Sequence, residues 1–186
     1  MTYSIDLLER TITSEFETDH IDYKQGFNWD TFRDYHKAKL TKHIAAMSNI
    51  PGGGLLIFGV ADWKEVTGLS QKDIDSLDRT KIDQFLANYL DPLPSYTIRE
   101  VEYQEKRLLI FEIEEFREVP IICKHEYPHV LRAGGVYIRH KASSTIIQRS
   151  NQMRIIIDLA LRKKKQELLS SIEDILGHGT YDDWKL

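Results

Sequence analysis

The chain is poor in the residues that staple a fold or cross a membrane. Among its 186 residues there is one cysteine, Cys123, so no internal disulfide framework can exist. No apolar run approaches the roughly 20 residues needed to span a bilayer. The opening stretch MTYSIDLLERTITSEFE is acidic and lacks a long apolar run, which fits neither a secretory leader nor a transit peptide. A cytoplasmic protein with no membrane partner is expected. There is no excess of positive charge either: 25 Lys and Arg stand against 29 Asp and Glu, a formal net charge of -4. That balance excludes a globally basic nucleic-acid binder but leaves room for a local basic face. No internal repeat or low-complexity segment is visible. What is present is core material, 41% hydrophobic and 10% aromatic residues, enough for a folded domain.

Helical spacing of Ile5, Leu8 and Ile12 predicts a short helix over 4–15. His20 to Lys24 alternates like a strand. Asp30 or Thr31 is expected to cap a helix carrying Leu40, Ile44 and Met47 on one face and ending near Ser48 or Asn49, where Ile50-Pro51 and three glycines follow. Leu55 to Val60 is continuously apolar and short, the pattern of a buried strand. Ser70 and Asp73 have capping-box spacing ahead of a short helix. An amphipathic helix is expected over 81–90, then a hairpin of 96–103 and 107–114, then short strands at 120–123 and 136–139. A helix over about 149–176 carries Met153, Ile156, Ile157, Ala160 and Leu161, then Leu168, Ile172 and Ile175, interrupted by Arg162 to Lys165. At roughly 40 Å it is too long to lie wholly on a small domain. It either packs in part on a partner or breaks near the lysines. The expected fold is α+β, a mixed β-sheet flanked by helices, with a long C-terminal helix. The expected organisation is a nucleic-acid-binding domain over 1–150, the helix over 151–176 for packing or dimerisation, and a tail over 177–186.

Several constellations could carry chemistry. Strand alternation puts Asp22 and Lys24 on one face. A carboxylate can hold a divalent metal while a lysine steadies a scissile phosphate. Glu17 just before this strand and Asp62 just after the buried one could complete an acidic cluster, if the two strands are neighbours. The competing reading is a solvated strand edge. Pro51-Gly52-Gly53-Gly54 is not a Walker A loop, because no Gly-Lys-Ser/Thr follows and it joins helix to strand, so no ATP is expected. Either it brings N–H groups to a phosphate or it is a tight turn needing positive φ. Cys123, His125 and His129 have metal-like spacing but no second cysteine, so ordinary loop histidines beside a buried cysteine is the stronger reading. Arg132, Arg139, His140, Lys141 and Arg149 gather around one strand and the Ser143-Ser144-Thr145 turn, and Arg154 with Arg162 to Lys165 can extend the patch. They read as phosphate contacts, or as a solvated face balanced by nearby acids. Trp29 and Trp63 could stack on bases, or belong to a core or interface.

The ordered set Glu17-x4-Asp22-Tyr23-Lys24, Ile44-Ala45-Ala46-Met47-Ser48-Asn49, Gly52-Gly53-Gly54-Leu55-Leu56-Ile57-Phe58-Gly59-Val60, Asp62 and Gly68 resembles the Schlafen-type AlbA-like domain. The likeness runs on through Val136-Tyr137-Ile138-Arg139-His140-Lys141 and Ser143-Ser144-Thr145. The resemblance implies nucleic-acid binding. Some members are endoribonucleases acting with a divalent metal on structured RNA such as tRNA, through an acidic triad and a lysine. By position, Glu17, Asp22 and Asp62 would be the metal-binding, catalytic triad with Mg²⁺ or Mn²⁺, and Lys24 the catalytic lysine. The chain departs from the pattern in having Asp22 in place of Glu, Ala61 inserted before Asp62, and Lys141-Ala142 in place of glycine. Nuclease members close two lobes on RNA, and a homodimer would supply the second here. The alternatives are a non-catalytic DNA-binding regulator and an interaction subunit of a larger system, such as a defence system.

Overall fold

The computed structural model describes residues 18–61, 64–140 and 142–177. The helix expected over 4–15 lies outside them, as do Glu17, Asp62, Trp63 and Lys141.

Strand β1 (Ile21–Lys24) leads to helix α1 (Asp34–Ser48) and strand β2 (Gly54–Phe58). β1 and β2 pair in parallel with Ile21 opposite Leu55, as a strand–helix–strand crossover requires. Helices α2 (Gln71–Asp75) and α3 (Arg79–Tyr89) follow, then β3 (Leu90–Asp91), β4 (Tyr96–Tyr103), β5 (Lys106–Ile113), β6 (Ile122–Cys123), β7 (Gly135–His140), β8 (Ser143–Ile146) and α4 (Ser150–Gly177). Two four-stranded sheets result, ordered β1-β2-β5-β4 and β3-β6-β7-β8. The first is mixed and the second antiparallel. The expected α+β class with a long C-terminal helix is what the chain adopts.

α1 joins the two sheets. It packs on β2 and β5 of one and on β7 and β8 of the other, so its second half is buried nearly all round, with Ile44, Ala45, Ala46 and Met47 at most 1% exposed. Small residues let strands approach on both sides. α1 starts at Asp34, later than Asp30 or Thr31, because Asn28 first closes a turn: its Oδ1 accepts from Thr31 N–H at 3.1 Å and its carbonyl from Phe32 N–H at 2.9 Å. The far end is fixed by buried Asn49. Its amide donates to the carbonyls of Ile121 (2.8 Å) and Tyr137 (2.9 Å) and accepts from Ile121 N–H (2.8 Å). One amide thus ties the helix end to both segments that bracket it.

The three glycines make the tight turn, with φ of 81° at Gly52 and 69° at Gly53. A Cβ on Gly53 would drive into the carbonyl oxygen of Ile113. The capping box at Ser70 and Asp73 is present, and Asp78 caps α3 by accepting from Lys81 N–H. The hairpin turn is tighter than expected. Only Gln104 and Glu105 lie between the strands, both left-handed at φ 51° and 58°, the geometry of a type I′ turn. The Ser143-Ser144-Thr145 segment is not a turn but the start of β8, held by its register with β7.

The core under the mixed sheet is aromatic. Phe27 meets Phe58 edge-on with centroids 5.2 Å apart, and Phe111 stacks on Tyr96 at 5.9 Å. Trp29 is also here, 3% exposed, which makes it core and not a base-stacking platform. α4 runs unbroken through Arg162 to Lys165 for about 42 Å. Its start is anchored by buried Ile156 and Leu159 and by Lys163, which pairs with Glu115 at 2.6 Å. Ile157, Leu161, Leu168 and Ile172 are at least half exposed along the free side. No described helix is long and apolar enough to cross a membrane.

Gly53→Ala is expected to lower stability by well over about 1 kcal/mol, since it meets both a left-handed backbone and a carbonyl. Gly26→Ala, where a Cβ meets nothing within 4 Å, should stay within about 0.5 kcal/mol of the parent in urea denaturation.

Candidate nucleic-acid interface and the ion pairs behind it

Asp22 and Lys24 do share a face of β1, with Lys24 Nζ 2.7 Å from Asp22 Oδ2. The face is not a solvated edge. Asp22 is 3% exposed, because α1 and β7 close over it. Arg139 reaches across from β7, its Nη2 3.2 Å from Asp22 Oδ1, with no exposed side-chain surface. The same Nη2 donates to the Ile21 carbonyl at 3.2 Å. From α1, His43 brings Nδ1 to 3.4 Å from Asp22 Oδ2 and 3.0 Å from Ser144 Oγ. One carboxylate therefore sits among an ammonium, a guanidinium and an imidazole.

His43 is neutral in this setting. Burial pushes its pKa down from 6.5 to about 3; Asp22 opposes that shift, while Lys24, Arg139 and Lys42 add to it. The ring serves as a polar spacer between carboxylate and hydroxyl.

Asp22 by itself supplies one carboxylate to a divalent ion. Lys24 stands beside one oxygen of Asp22 and Arg139 beside the other, so a metal here would share the carboxylate with both cations. Among the described residues no group of three His, Cys, Asp or Glu side chains converges. Cys123 is buried, its thiol donating to the His125 carbonyl at 3.0 Å. Glu17 and Asp62, the other two expected ligands, lie outside the described residues.

The basic patch divides in two. Arg139, expected among the phosphate contacts, is interior, because strand alternation on β7 turns it towards Asp22. Arg132 and Arg149 remain exposed and line a cleft of about 770 Å³ together with Lys42, His129 and His140. Glu126 is the one carboxylate among its described lining residues. Both arginines are held by backbone. Arg132 N–H donates to Tyr137 Oη at 2.8 Å. Gln152 Oε1 accepts from Gln148 and Arg149 N–H at 3.1 and 3.2 Å, fixing the entry to α4. Lys42 and His43 were not legible as site residues from the apolar stripe of α1. The signal was the polar series His36, Lys39, Lys42, His43, whose spacings of three and four place it on one face. Burial, and then Lys39, depress the Lys42 pKa, so an anion at this point relieves a charge held at a cost.

A family profile described as Schlafen, AlbA_2 matches residues 17–148. The chain belongs to the Schlafen AlbA_2 family. The family region takes in β1 to β8 and the whole Asp22 cluster; Arg149 and α4 fall beyond it. Among solved structures, the DIP2311 protein from Corynebacterium diphtheriae is 18% identical with a TM-score of 0.53, the match covering 81% of this chain and 27% of that one. The chain thus spans about a quarter of that protein, with which it shares a fold. The N-terminal domain of a RecG-related protein from Nitrosomonas europaea matches at 21% identity over 80% of this chain and 94% of that domain, with a TM-score of 0.44. No curated protein matches.

Removing the Asp22 charge from this family member strands a buried guanidinium. Asp22→Ala should cost about 3–5 kcal/mol. Lys24→Ala should cost no more than about 1 kcal/mol, because Lys24 is 36% exposed and Asp22 keeps Arg139. Chemical denaturation of the two variants checks both values. His43 gives the pH signature. The unfolded imidazole binds a proton near pH 6.5 and the folded one only near 3, so its contribution is complete above pH 6.5 and is lost as pH falls towards 3. Between those values stability should fall by at most about 1.4 kcal/mol per pH unit from this group. His43→Gln should flatten that slope in a pH series of urea melts.

Proposed function

We propose that this chain is a nucleic-acid-binding module that engages phosphates in the cleft between Arg132 and Arg149, with the Asp22 cluster as its internal support. The observation that carries this reading is the convergence of Arg132, Arg149, Lys42 and His140 on one concave surface in a chain whose net charge is -4. A local cation cluster in an acidic protein concentrates the field at one place and repels polyanions elsewhere. That favours a folded RNA docked on one face over indiscriminate coating of DNA. Family membership supports the same reading. Binding by such a cleft needs no metal, and the ion pairs of Asp22 with Lys24 and Arg139 favour a binding role over cleavage. A second copy, docked along the exposed Ile157, Leu161, Leu168 and Ile172 stripe of α4, would double the basic surface.

Fluorescence anisotropy with a labelled RNA hairpin tests this directly. Affinity should fall steeply between 50 and 200 mM salt and be unchanged by EDTA. Arg132→Ala and Arg149→Ala should each weaken binding and reduce the log–log salt slope by about 1. Absence of binding, or binding indifferent to salt, overturns the proposal. Hairpin cleavage that requires Mn²⁺ and vanishes in Asp22→Asn would replace it with a metal-dependent endonuclease reading built on Glu17, Asp22 and Asp62. For the second copy, Leu161→Glu combined with Leu168→Glu should shift a dimer to monomer in sedimentation; an unchanged sedimentation coefficient removes that part.

A further inference from the structure

A second pocket, of about 520 Å³, opens on the other side of Lys42. It has two distinct zones. Its floor is apolar, made by Phe32, Leu40, Leu56 and Phe58. Leu40, Leu56 and Phe58 are core residues, while Phe32 keeps part of its ring accessible. Its rim carries Lys24, Lys39, Lys42 and His36. No carboxylate lines it among the described residues. At its inner end stand Ser144 and His43, with Ser143 exposed at the mouth. Lys42 and Ser144 also line the phosphate cleft, so the two depressions adjoin.

The zones make different demands on a ligand. An apolar floor that includes an accessible aromatic ring suits a flat, weakly hydrated group. Three ammonium groups around the mouth suit anions on either side of it. A hydroxyl and an imidazole at the back supply both donors and acceptors, which suits a group with a polar edge. An aliphatic chain would satisfy the floor and leave the ammonium rim without an anion. A bare phosphate would satisfy the rim and leave the floor wet. A nucleobase attached to its backbone satisfies all three, and the volume lies within the range of single-ligand sites.

We propose that this pocket receives one base turned out of the stack, while the neighbouring phosphates of the same strand lie in the Arg132–Arg149 cleft. The inference rests on the nucleic-acid-binding reading and adds the substrate class: a strand with an unpaired nucleotide, such as a bulge or loop. A base inside a duplex cannot reach the floor without leaving its pair. Phe32 offers the stacking face, Lys39 and Lys42 hold the flanking phosphates, and Ser144 and His43 face the edge of the base.

Three labelled RNA hairpins test this with the full chain: one with a single bulged nucleotide, one with an abasic residue at the same position, and one fully paired. The base-bearing bulge should bind about tenfold more tightly than its abasic counterpart. Ser143 is exposed at the mouth, so Ser143→Trp should plug the pocket without disturbing the core and bring that ratio close to one. Phe32→Leu, which keeps the floor apolar and removes the ring, should reduce the ratio by a smaller factor. Equal affinity for bulged and abasic hairpins in the parent protein, with salt-dependent binding retained, overturns the pocket and leaves the phosphate cleft standing. A ratio unchanged by Ser143→Trp overturns it as well. Failure of all three hairpins to bind removes the broader reading and the pocket with it.

Discussion

The pairing of Asp22 with Arg139 is the interaction on which the arrangement depends. Asp22 belongs to the mixed sheet and Arg139 to the antiparallel one, and they meet at 3.2 Å where neither is open to water. Each charge alone would be expensive in that position; together they are tolerable, and the Ile21 carbonyl takes a further guanidinium hydrogen. An ion pair of this kind adds little net stability over an apolar contact. Its effect is on specificity: it admits one registration of the two sheets across α1, because any slip leaves a buried charge without its partner.

The same pairing sorts the polar residues into two groups with different work. Asp22, Arg139 and neutral His43 face inward and set geometry. Lys24 lies at the boundary, touching Asp22 on one side and lining the base pocket on the other. Arg132, Arg149, Lys39 and Lys42 face outward and are available to a polyanion. Because the inner cations neutralise Asp22, the outer ones are not opposed by a free carboxylate directly behind them. An acidic chain can in this way present a basic concave surface without excess Lys and Arg in its composition.

α1 is the element that makes the arrangement possible. It packs on both sheets and delivers residues to the ion-pair cluster and to both depressions. It can do so because Ala38, Ala45 and Ala46 keep its buried faces slim, and because Asn49 pins its end to Ile121 and Tyr137. The glycine turn after it then has no freedom to relax, which is why Gly53 sits against the Ile113 carbonyl.

Local pattern determined the elements. Alternation marked β1, an apolar run marked β2, Ser70 with Asp73 marked α2, and helical spacing marked α4, whose continuity through its lysines only the structure decided. The co-projection of Asp22 and Lys24 also followed from strand geometry alone, and the order of motifs carried the family resemblance. Tertiary structure decided everything that depends on what lies across a gap in sequence. Arg139 and Arg132 are equivalent in composition, yet alternation on β7 and the closure of α1 put one in the interior beside Asp22, 117 positions away in the chain, and leave the other in a cleft. β8 was hidden because Ser143-Ser144-Thr145 has turn-like chemistry, and only pairing with β7 makes it a strand. The second pocket was hidden for the same reason: its floor comes from Phe32, from Leu40 of α1 and from Leu56 and Phe58 of β2, and most of its rim from helix residues whose spacing signals nothing until a neighbouring sheet gives them a face.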